Sequence, residues 1–347
     1  GLILAGLFQV FFWITQDNKV TLKQNASERF ESLSYAPFEG YDKKVLSPEQ
    51  IKEDISILIK HTNKVRTYAT ADAKVILEVA SKTNMMVDLG LWLSGDHEEN
   101  HKEIQRGLEL LKKYPNNINN VIVGNETLLR TDLNEVELMA YLDFVKGFTK
   151  KPITTAEVWH TLDKYPEIGN HVDFITVHFL PYWENVPIEQ FNNFIIEKYS
   201  IIEKKYPNKK ITIGETGWPS HGYNKNGAVP SLKNQAIAIS NFIALAKEKN
   251  WSYNIVEAFD QPWKGYDEGN VGQYWGMFTS DRKIKFSLSG DTILNQYWLY
   301  QMIAAIIIGA IITLFGLRNQ RLNLNHALAY GIAAQGMAFG IVMAITY

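Results

Sequence analysis

Residues 211–220 read ITIGETGWPS. The run Ile211–Ile213 has strand character, and Glu215 follows it between two glycines, just before Trp218 and Pro219. A carboxylate at the end of a buried strand is costly unless something at that point requires its charge. The stretch therefore predicts a strand that ends at a functional site, with Glu215 as its reactive group.

Seven more strand-like runs occur in the chain, separated by amphipathic helical stretches. The eight strand candidates are ESLSYAPF, KVRTYAT, MMVDLGLWL, NNVIVGNE, PITTAEVW, VDFITVHF, KKITIGET and SYNIVEAF. Strands that alternate with helices indicate a parallel sheet, and eight such units favour a closed (β/α)8 barrel over an open doubly wound sheet. The Rossmann alternative lacks its glycine-rich fingerprint after the first strand. The predicted fold class is α/β, a (β/α)8 TIM barrel with flanking transmembrane helices.

Composition excludes several classes of function. A net charge of −2 and a pI near 6.5 give no reason to expect a nucleic-acid partner. The absence of cysteine excludes disulfides and a thiol nucleophile. No HExxH motif or G-x-S-x-G elbow occurs, so we expect no metal, no cofactor and no serine hydrolase.

Apolar segments flank the predicted barrel. Residues 1–16 are interpreted as a truncated transmembrane helix, with a signal-peptide core as the alternative. Residues 297–317 contain no charge and predict a spanning helix, and residues 327–347 predict a second, truncated one. Residues 17–29 are expected to be a linker, and residues 30–290 the catalytic domain.

The loop 318–326 predicts the orientation of the chain. It contains Arg318 and Arg321, and an excess of basic residues in a short loop marks the cytoplasmic side of a membrane. The barrel would then lie on the extracytoplasmic side. The apolar run to the last residue predicts a longer parent protein.

Two carboxylates occupy corresponding strand ends. Glu126 closes the fourth strand candidate and Glu215 the seventh, and the carboxyl ends of parallel barrel strands open on one face. A carboxylate pair across a cleft is the apparatus for cleaving a glycosidic bond. The alternatives are that Glu126 pairs with Arg66 or Arg130 and that Glu215 caps a helix. Other acidic residues near strand ends are Asp88, Glu157, Glu257 and Asp260.

Several motifs resemble one enzyme family. GETGWPS around Glu215 and VGNE around Glu126 resemble the signature segments of glycoside hydrolase family 17, the β-1,3-glucanase family. SYAPFEG, VIVGNETLLR, HFLPYWEN and FDQPWK resemble its bacterial, membrane-bound branch associated with β-glucan synthesis. The resemblance covers about residues 30–285.

The resemblance implies roles for individual residues. Glu126 would be the acid/base and Glu215 the nucleophile of a retaining double displacement, with Asn125 contacting the sugar 2-hydroxyl. Retention requires the two carboxyl groups to lie about 5–5.5 Å apart. Plant members have a tyrosine in the sixth strand segment where this chain reads Phe179 or Leu180, so that phenol has no counterpart here.

Aromatic residues near the strand ends are candidates for sugar platforms, with plain packing as the alternative for each. They are Tyr35, Trp159, Tyr182, Trp183 and Trp263. Trp218 is expected to line the cleft, and His178 is a further candidate for substrate binding.

Three functions follow as hypotheses. The favoured one is a membrane-anchored β-glucan transglycosylase that remodels or branches glucan. The alternatives are a β-1,3-glucanase and a non-catalytic glucan-binding module of a synthase. The expected partners are β-glucan, membrane lipid and a glycosyltransferase domain or subunit, and the expected location is a bacterial inner membrane with a periplasmic catalytic domain.

Overall fold

The computed structural model describes residues 2–15, 19–23, 29–295, 297–318 and 323–346. They divide into two compact units, one of residues 22–290 and one of residues 1–21 with 291–347. Arg321 and residues 24–28 of the predicted linker lie outside the described residues. Residues 19–22 of that linker form a strand.

The larger unit is built on a closed barrel of eight parallel strands. These strands are β1 (Leu33–Ser34), β2 (Lys64–Arg66), β3 (Met86–Leu91), β4 (Ile118–Asn125), β5 (Ile153–Val158), β6 (Ile175–His178), β7 (Ile211–Thr216) and β8 (Ser252–Ile255). Each strand candidate of the sequence supplies one of them, so the predicted TIM barrel is confirmed. The register of β7 against β6 sets Glu215 beside His178.

The helices are α1 (Leu2–Thr15), α2 (Pro48–Leu58), α3 (Thr70–Ala80), α4 (His97–Lys113), α5 (Glu135–Phe148), α6 (Trp159–Lys164), α7 (Ile168–His171), α8 (Phe191–Lys205), α9 (Leu232–Lys249), α10 (Trp298–Leu317) and α11 (Leu324–Thr346). Helices α2–α9 alternate with the barrel strands along the chain, and α1, α10 and α11 belong to the smaller unit. Short 3₁₀ helices cover Ile188–Gln190, Pro262–Gly265 and Asn270–Tyr274. Two-stranded sheets pair Phe38–Glu39 with Lys44–Val45 and Lys19–Leu22 with Gly290–Ile293.

Local sequence explains where these helices begin. Ser47 caps α2 in a reciprocal capping box with Gln50, and Pro48 occupies the first turn. Asn134 forms the same box with Glu137 at the start of α5. These caps satisfy N–H groups that a helix end leaves unpaired, so each helix starts at a defined distance from the preceding strand.

Close packing at the C-terminal ends of the barrel strands depends on one glycine. A Cβ atom on Gly90 of β3 would lie 2.3 Å from the carbonyl oxygen of Thr67 and 2.6 Å from the Cα of Tyr68. Only a residue without a side chain allows the segment that follows β2 to approach β3 this closely. Gly90 therefore sets the position of Tyr68.

The smaller unit is a helical bundle. Helices α10 and α11 are long and apolar enough to cross a membrane, whereas α1 has fourteen residues, fewer than the roughly twenty that spanning requires. The Gln9 side chain donates to the Gln335 carbonyl oxygen at 3.1 Å, and the Gln335 side chain donates to that of Ile306 at 3.4 Å. Hydrogen bonds of this kind hold helices together where the surroundings are apolar.

Candidate active site

The two predicted carboxylates meet at the C-terminal end of the barrel. Glu126 follows β4 directly, and Glu215 lies in β7. One oxygen of each and one ring nitrogen of His178 all lie within 4.8 Å of one another. Both glutamates line a cavity of about 1010 Å³. The structure thus brings together a pair that is 89 residues apart in the chain.

Glu215 is held in its ionised form. The Tyr68 hydroxyl donates to its Oε1 at 2.8 Å, and Nη1 of Arg66 lies 3.3 Å from the same oxygen. Burial raises the pKa of Glu215, but the charge of Arg66 and the hydrogen bond from Tyr68 oppose this effect, and the pKa lies below its usual value. The carboxylate is therefore available as a nucleophile at neutral pH.

Arg66 links the strands that carry the site. From the end of β2, its buried guanidinium donates to the Gly214 carbonyl oxygen at 2.6 Å and to Oδ1 of Asn125 at 2.5 Å. Arg66 therefore fixes the position of Asn125, which precedes Glu126, and also that of Glu215. Of the alternatives raised by the sequence, Arg66 does form an ion pair, but with Glu215 rather than with Glu126.

His178 contacts the acid/base candidate. Its Nδ1 lies 2.7 Å from Oε1 of Glu126, and its Nε2 lies 3.2 Å from Nη1 of Arg66. A guanidinium only donates hydrogen bonds, so Nε2 accepts and Nδ1 carries the hydrogen that it donates to Glu126. His178 was predicted to bind substrate, and the structure places it 1% exposed in the cavity wall with Glu126 as its partner.

Glu126 has an uncommon backbone conformation. Its φ is 52°, in the left-handed region that residues other than glycine rarely adopt. Its N–H donates to the Ala156 carbonyl oxygen at 2.7 Å, and its own carbonyl oxygen accepts from the Arg130 N–H at 2.8 Å. The Arg130 guanidinium pairs with Asp132 at 2.8 Å. Left-handed backbone of this kind often marks functional positions, because the surroundings must stabilise it.

Glu126, His178 and Glu215 have the donor types of a metal site. A cation is nevertheless already present among them, because Nη1 of Arg66 lies 3.3 Å from Glu215 and 3.2 Å from His178. The cluster is accounted for as an ion-pair and hydrogen-bond network.

A second ion pair lies in the cavity lining. Lys264 Nζ contacts Oε2 of Glu257 at 2.9 Å, and both residues line the cavity. Burial raises the pKa of Glu257 to about 7, although Lys264 opposes this. Glu257 follows β8, and Lys264 lies in the 3₁₀ helix Pro262–Gly265. The charge of Lys264 also helps to lower the pKa of Glu215.

Four of the aromatic residues predicted to contact sugar lie outside the lining of this cavity. Tyr35, Tyr182 and Trp218 are at most 1% exposed and are not among the described residues that line the cavity. Their polar atoms bond to Asp54, to the Tyr223 carbonyl oxygen and to the Val229 carbonyl oxygen. A buried ring offers no face to a sugar, so these three are packing residues. Trp159 also lies outside the lining, hydrogen-bonded to Glu184, which belongs to it.

Other aromatic residues do face the cavity. Trp183 and Trp263 line it as predicted, and Trp92 and Trp275 line it although the sequence analysis missed them. Trp183 and Trp275 stack with ring centroids 6.0 Å apart and planes inclined by 19°. Trp92 directly follows β3, so its position at a strand end could have predicted its place in the cavity wall. Trp275 comes from a loop beyond β8, and no strand pattern points to it.

Comparison with known proteins identifies the family. A model of the BtgE/BtgC glycoside hydrolase domain matches residues 32–276. A glucan 1,3-beta-glucosidase of Arthroderma benhamiae is 33% identical over 262 residues, covering 68% of this chain and 83% of that protein. One similar solved structure is an active-site mutant of the Rhizomucor miehei beta-1,3-glucanosyltransferase in complex with laminaritriose. Its TM-score is 0.67 at 27% sequence identity, and the match covers 74% of this chain and 95% of that chain.

An endo-laminarinase from Formosa shares the fold, with a TM-score of 0.66 at 21% identity, covering 76% of this chain and 86% of its own. The R. miehei enzyme is also known without the mutation as a family 17 glycoside hydrolase, with a TM-score of 0.67 at 28% identity, covering 74% of this chain and 95% of its own. This chain therefore belongs to the BtgE/BtgC glycoside hydrolase family, within glycoside hydrolase family 17.

Proposed function

We propose that the chain is a retaining enzyme that acts on β-1,3-glucan by double displacement. The observation that carries this proposal is the separation of the two carboxylates, one oxygen of each lying within 4.8 Å of the other. Retaining enzymes place the carboxyl groups about 5–5.5 Å apart, whereas inverting enzymes need about 6.5–9.5 Å to admit a water molecule. A separation within 4.8 Å supports the retaining geometry.

In the first step, an oxygen of Glu215 attacks the anomeric carbon, and the bond from that carbon to the glycosidic oxygen breaks. Glu126 gives its proton to the departing oxygen, so the leaving sugar departs as a neutral alcohol. Tyr68 and Arg66 hold the Glu215 carboxylate in place for this attack. The result is a covalent glycosyl-enzyme and an ionised Glu126.

In the second step, an incoming hydroxyl loses its proton to Glu126 and attacks the anomeric carbon, which releases Glu215. The Nδ1–H group of His178 stabilises Glu126 in its ionised form between the two steps. The incoming hydroxyl belongs to water in hydrolysis and to another sugar in transfer. The protein groups are the same in both cases.

The substrate class is proposed from the cavity and the relatives together. Trp92, Trp183 and Trp263 give the cavity several aromatic faces, which suit the apolar faces of sugar rings. The relatives include a glucan 1,3-beta-glucosidase and a glucanosyltransferase solved with laminaritriose. Asn125, which Arg66 holds beside the acid/base, would contact the sugar next to the broken bond.

We favour transfer over hydrolysis. Support comes from the likeness to the R. miehei glucanosyltransferase and from α10 and α11, which are long enough to hold the enzyme at a membrane beside a growing polymer. Hydrolysis is the second candidate, because a curated relative is a glucosidase. The complete carboxylate pair counts against a non-catalytic binding module.

We also propose that α10 and α11 anchor the chain in a bacterial inner membrane, with the barrel on the periplasmic side. Isoleucine side chains exposed on these helices, Ile303, Ile307, Ile311 and Ile341, would contact lipid. Protease treatment of intact and lysed spheroplasts tests the orientation. Digestion of the barrel in intact spheroplasts is expected, and protection there would reverse the orientation. A glycosyltransferase partner remains a prediction.

Product analysis tests the reaction. The full chain in detergent is incubated with a β-1,3-gluco-oligosaccharide, and products are followed by mass and linkage, with Glu215→Gln as the inactive control. Products longer than the substrate are expected and establish transfer. Only shorter products would make the enzyme a glucanase. No product from the unmodified chain, or equal turnover by Glu215→Gln, would contradict the double displacement.

A further inference from the structure

A buried carboxylate lies beneath the turn that carries the acid/base. Glu157, in β5, is 0% exposed and is not among the residues that line the cavity, so it does not touch a bound sugar. Burial raises the pKa of Glu157 to about 7, although hydrogen bonding from the Leu128 N–H opposes this. A carboxyl group in such a place is unfavourable unless its hydrogen bonds are needed.

Those hydrogen bonds all go to the residues that follow Glu126. The Leu128 N–H donates to Oε1 of Glu157 at 2.8 Å, and the Thr127 hydroxyl donates to the same oxygen at 3.4 Å. The Leu129 N–H donates to Oε2 at 3.4 Å. One side chain therefore accepts from three consecutive residues and ties them to β5.

The residue before this tied turn is the one that needs support. Glu126 has a φ of 52°, and such backbone persists only where the surroundings determine it on both sides. On the N-terminal side, the Glu126 N–H donates to Ala156, the neighbour of Glu157 in β5. On the C-terminal side, Glu157 supplies the restraint. Residues of β5 therefore form hydrogen bonds with the chain both at Glu126 and directly after it.

We propose that Glu157 is a positioning residue, which aims the Glu126 carboxyl at the glycosidic oxygen by clamping residues 127–129. The inference rests on the proposed function, because it assigns Glu157 a part in proton donation. Glutamine is the informative replacement. Its oxygen can accept one of the N–H groups, but its NH₂ group then faces another donor, so the clamp is lost while the shape is kept.

The leaving group provides the test. A natural oligosaccharide needs a proton from Glu126 to depart, whereas a dinitrophenyl group departs without one. For the full chain in detergent, Glu157→Gln is expected to lower kcat/KM for a laminari-oligosaccharide by about 10- to 100-fold. With a dinitrophenyl β-laminaribioside, the glycosylation rate is expected to change by less than about threefold, since no acid is required.

Two further variants keep the test decisive. Thr127→Val removes one hydroxyl donor to Glu157 and is expected to give a smaller loss, about 2- to 10-fold, with the same dependence on leaving group. Asp54→Asn is the matched control, because Asp54 is also buried but bonds to Tyr35 and Arg282 outside the active-site cavity. It is expected to affect both substrates equally.

The possible outcomes separate the two proposals. Equal loss on both substrates in Glu157→Gln and Thr127→Val would overturn the positioning role while leaving the double displacement intact. If Glu157→Gln does not fold, Thr127→Val decides the question by the same comparison. An unmodified chain that turns over neither substrate would overturn the proposed function, and this inference with it.

Discussion

At the scale of single residues, the two glutamates are expected to fail in different ways. Glu215→Gln removes the nucleophile, so activity should fall to background with every substrate. Glu126→Ala removes only the proton donor and acceptor, so it should lose about 10²- to 10⁴-fold on oligosaccharides but still form the glycosyl-enzyme from a dinitrophenyl glycoside. Rate measurements with both substrates check this. Equal failure of the two variants would contradict the assigned roles.

Tyr68 is expected to set the acid limb of the pH profile. The Tyr68 hydroxyl stabilises ionised Glu215, whose pKa is below its usual value despite burial. Tyr68→Phe should raise that pKa, so activity, which needs the ionised form, is lost at a higher pH as the pH falls. The shift expected for losing one hydrogen bond to a charge is about one pH unit.

The pH dependence of kcat/KM measures this shift. Tyr182→Phe is the matched control, because the Tyr182 hydroxyl is also buried but bonds to Tyr223 outside the cavity lining. It should leave the acid limb in place. An unmoved acid limb in Tyr68→Phe would mean that the Tyr68 hydrogen bond does not hold the Glu215 charge.

The sequence predicted the residues whose position follows from a local pattern of strand and glycine. Glu126 and Glu215 each close a strand-like run beside a glycine, so their approach follows from barrel geometry alone. Arg66 and Tyr68 lie in an equally plain strand segment, but Glu215, the carboxylate that both contact, is 147 to 149 residues away. Only closure of the barrel decides which of the many carboxylates they meet.

Aromatic residues were harder to place for a related reason. Tryptophan and tyrosine suit both a core and a sugar platform, and their local sequences do not distinguish the two. Tyr182 and Trp183 are neighbours in the chain, yet Tyr182 is buried and Trp183 lines the cavity. The direction of a side chain in a loop depends on tertiary packing that a single sequence does not display.

At the scale of the elements, the approach of β2 to β3 is expected to control both stability and the site. Gly90→Ala would place a methyl group 2.3 Å from the Thr67 carbonyl oxygen. Overpacking of this kind costs about 1–3 kcal/mol and should shift Tyr68 away from Glu215. Denaturant unfolding of the barrel, followed by tryptophan fluorescence, measures the loss of stability.

Gly147→Ala is the matched control for this substitution. Gly147 lies on the exposed side of α5, and an added Cβ meets nothing within 4 Å. Alanine in a helix interior is favoured over glycine by about 0.5–1 kcal/mol, so this variant should be slightly more stable. Equal stability of the two variants would show that β2 and β3 can separate at little cost.

At the scale of the whole molecule, the chemistry is expected to be separable from the apolar helices. Every residue of the candidate site lies within the compact unit of residues 22–290. A protein of those residues should therefore fold and keep the kcat/KM of the full chain on soluble oligosaccharides. Comparing the two proteins under the same detergent conditions checks this. A large loss in the excised unit would assign the helices a part in the active barrel.

The left-handed backbone at Glu126 has a consequence for evolution. Glycine and asparagine adopt that conformation more readily than glutamate, so replacement of Glu126 by either would relieve strain as it abolishes proton transfer. Most mutations destabilise the folded state, whereas these inactivating substitutions at position 126 would stabilise it. A duplicated copy released from selection for catalysis would drift toward an inactive barrel that still folds well and keeps its aromatic cavity wall.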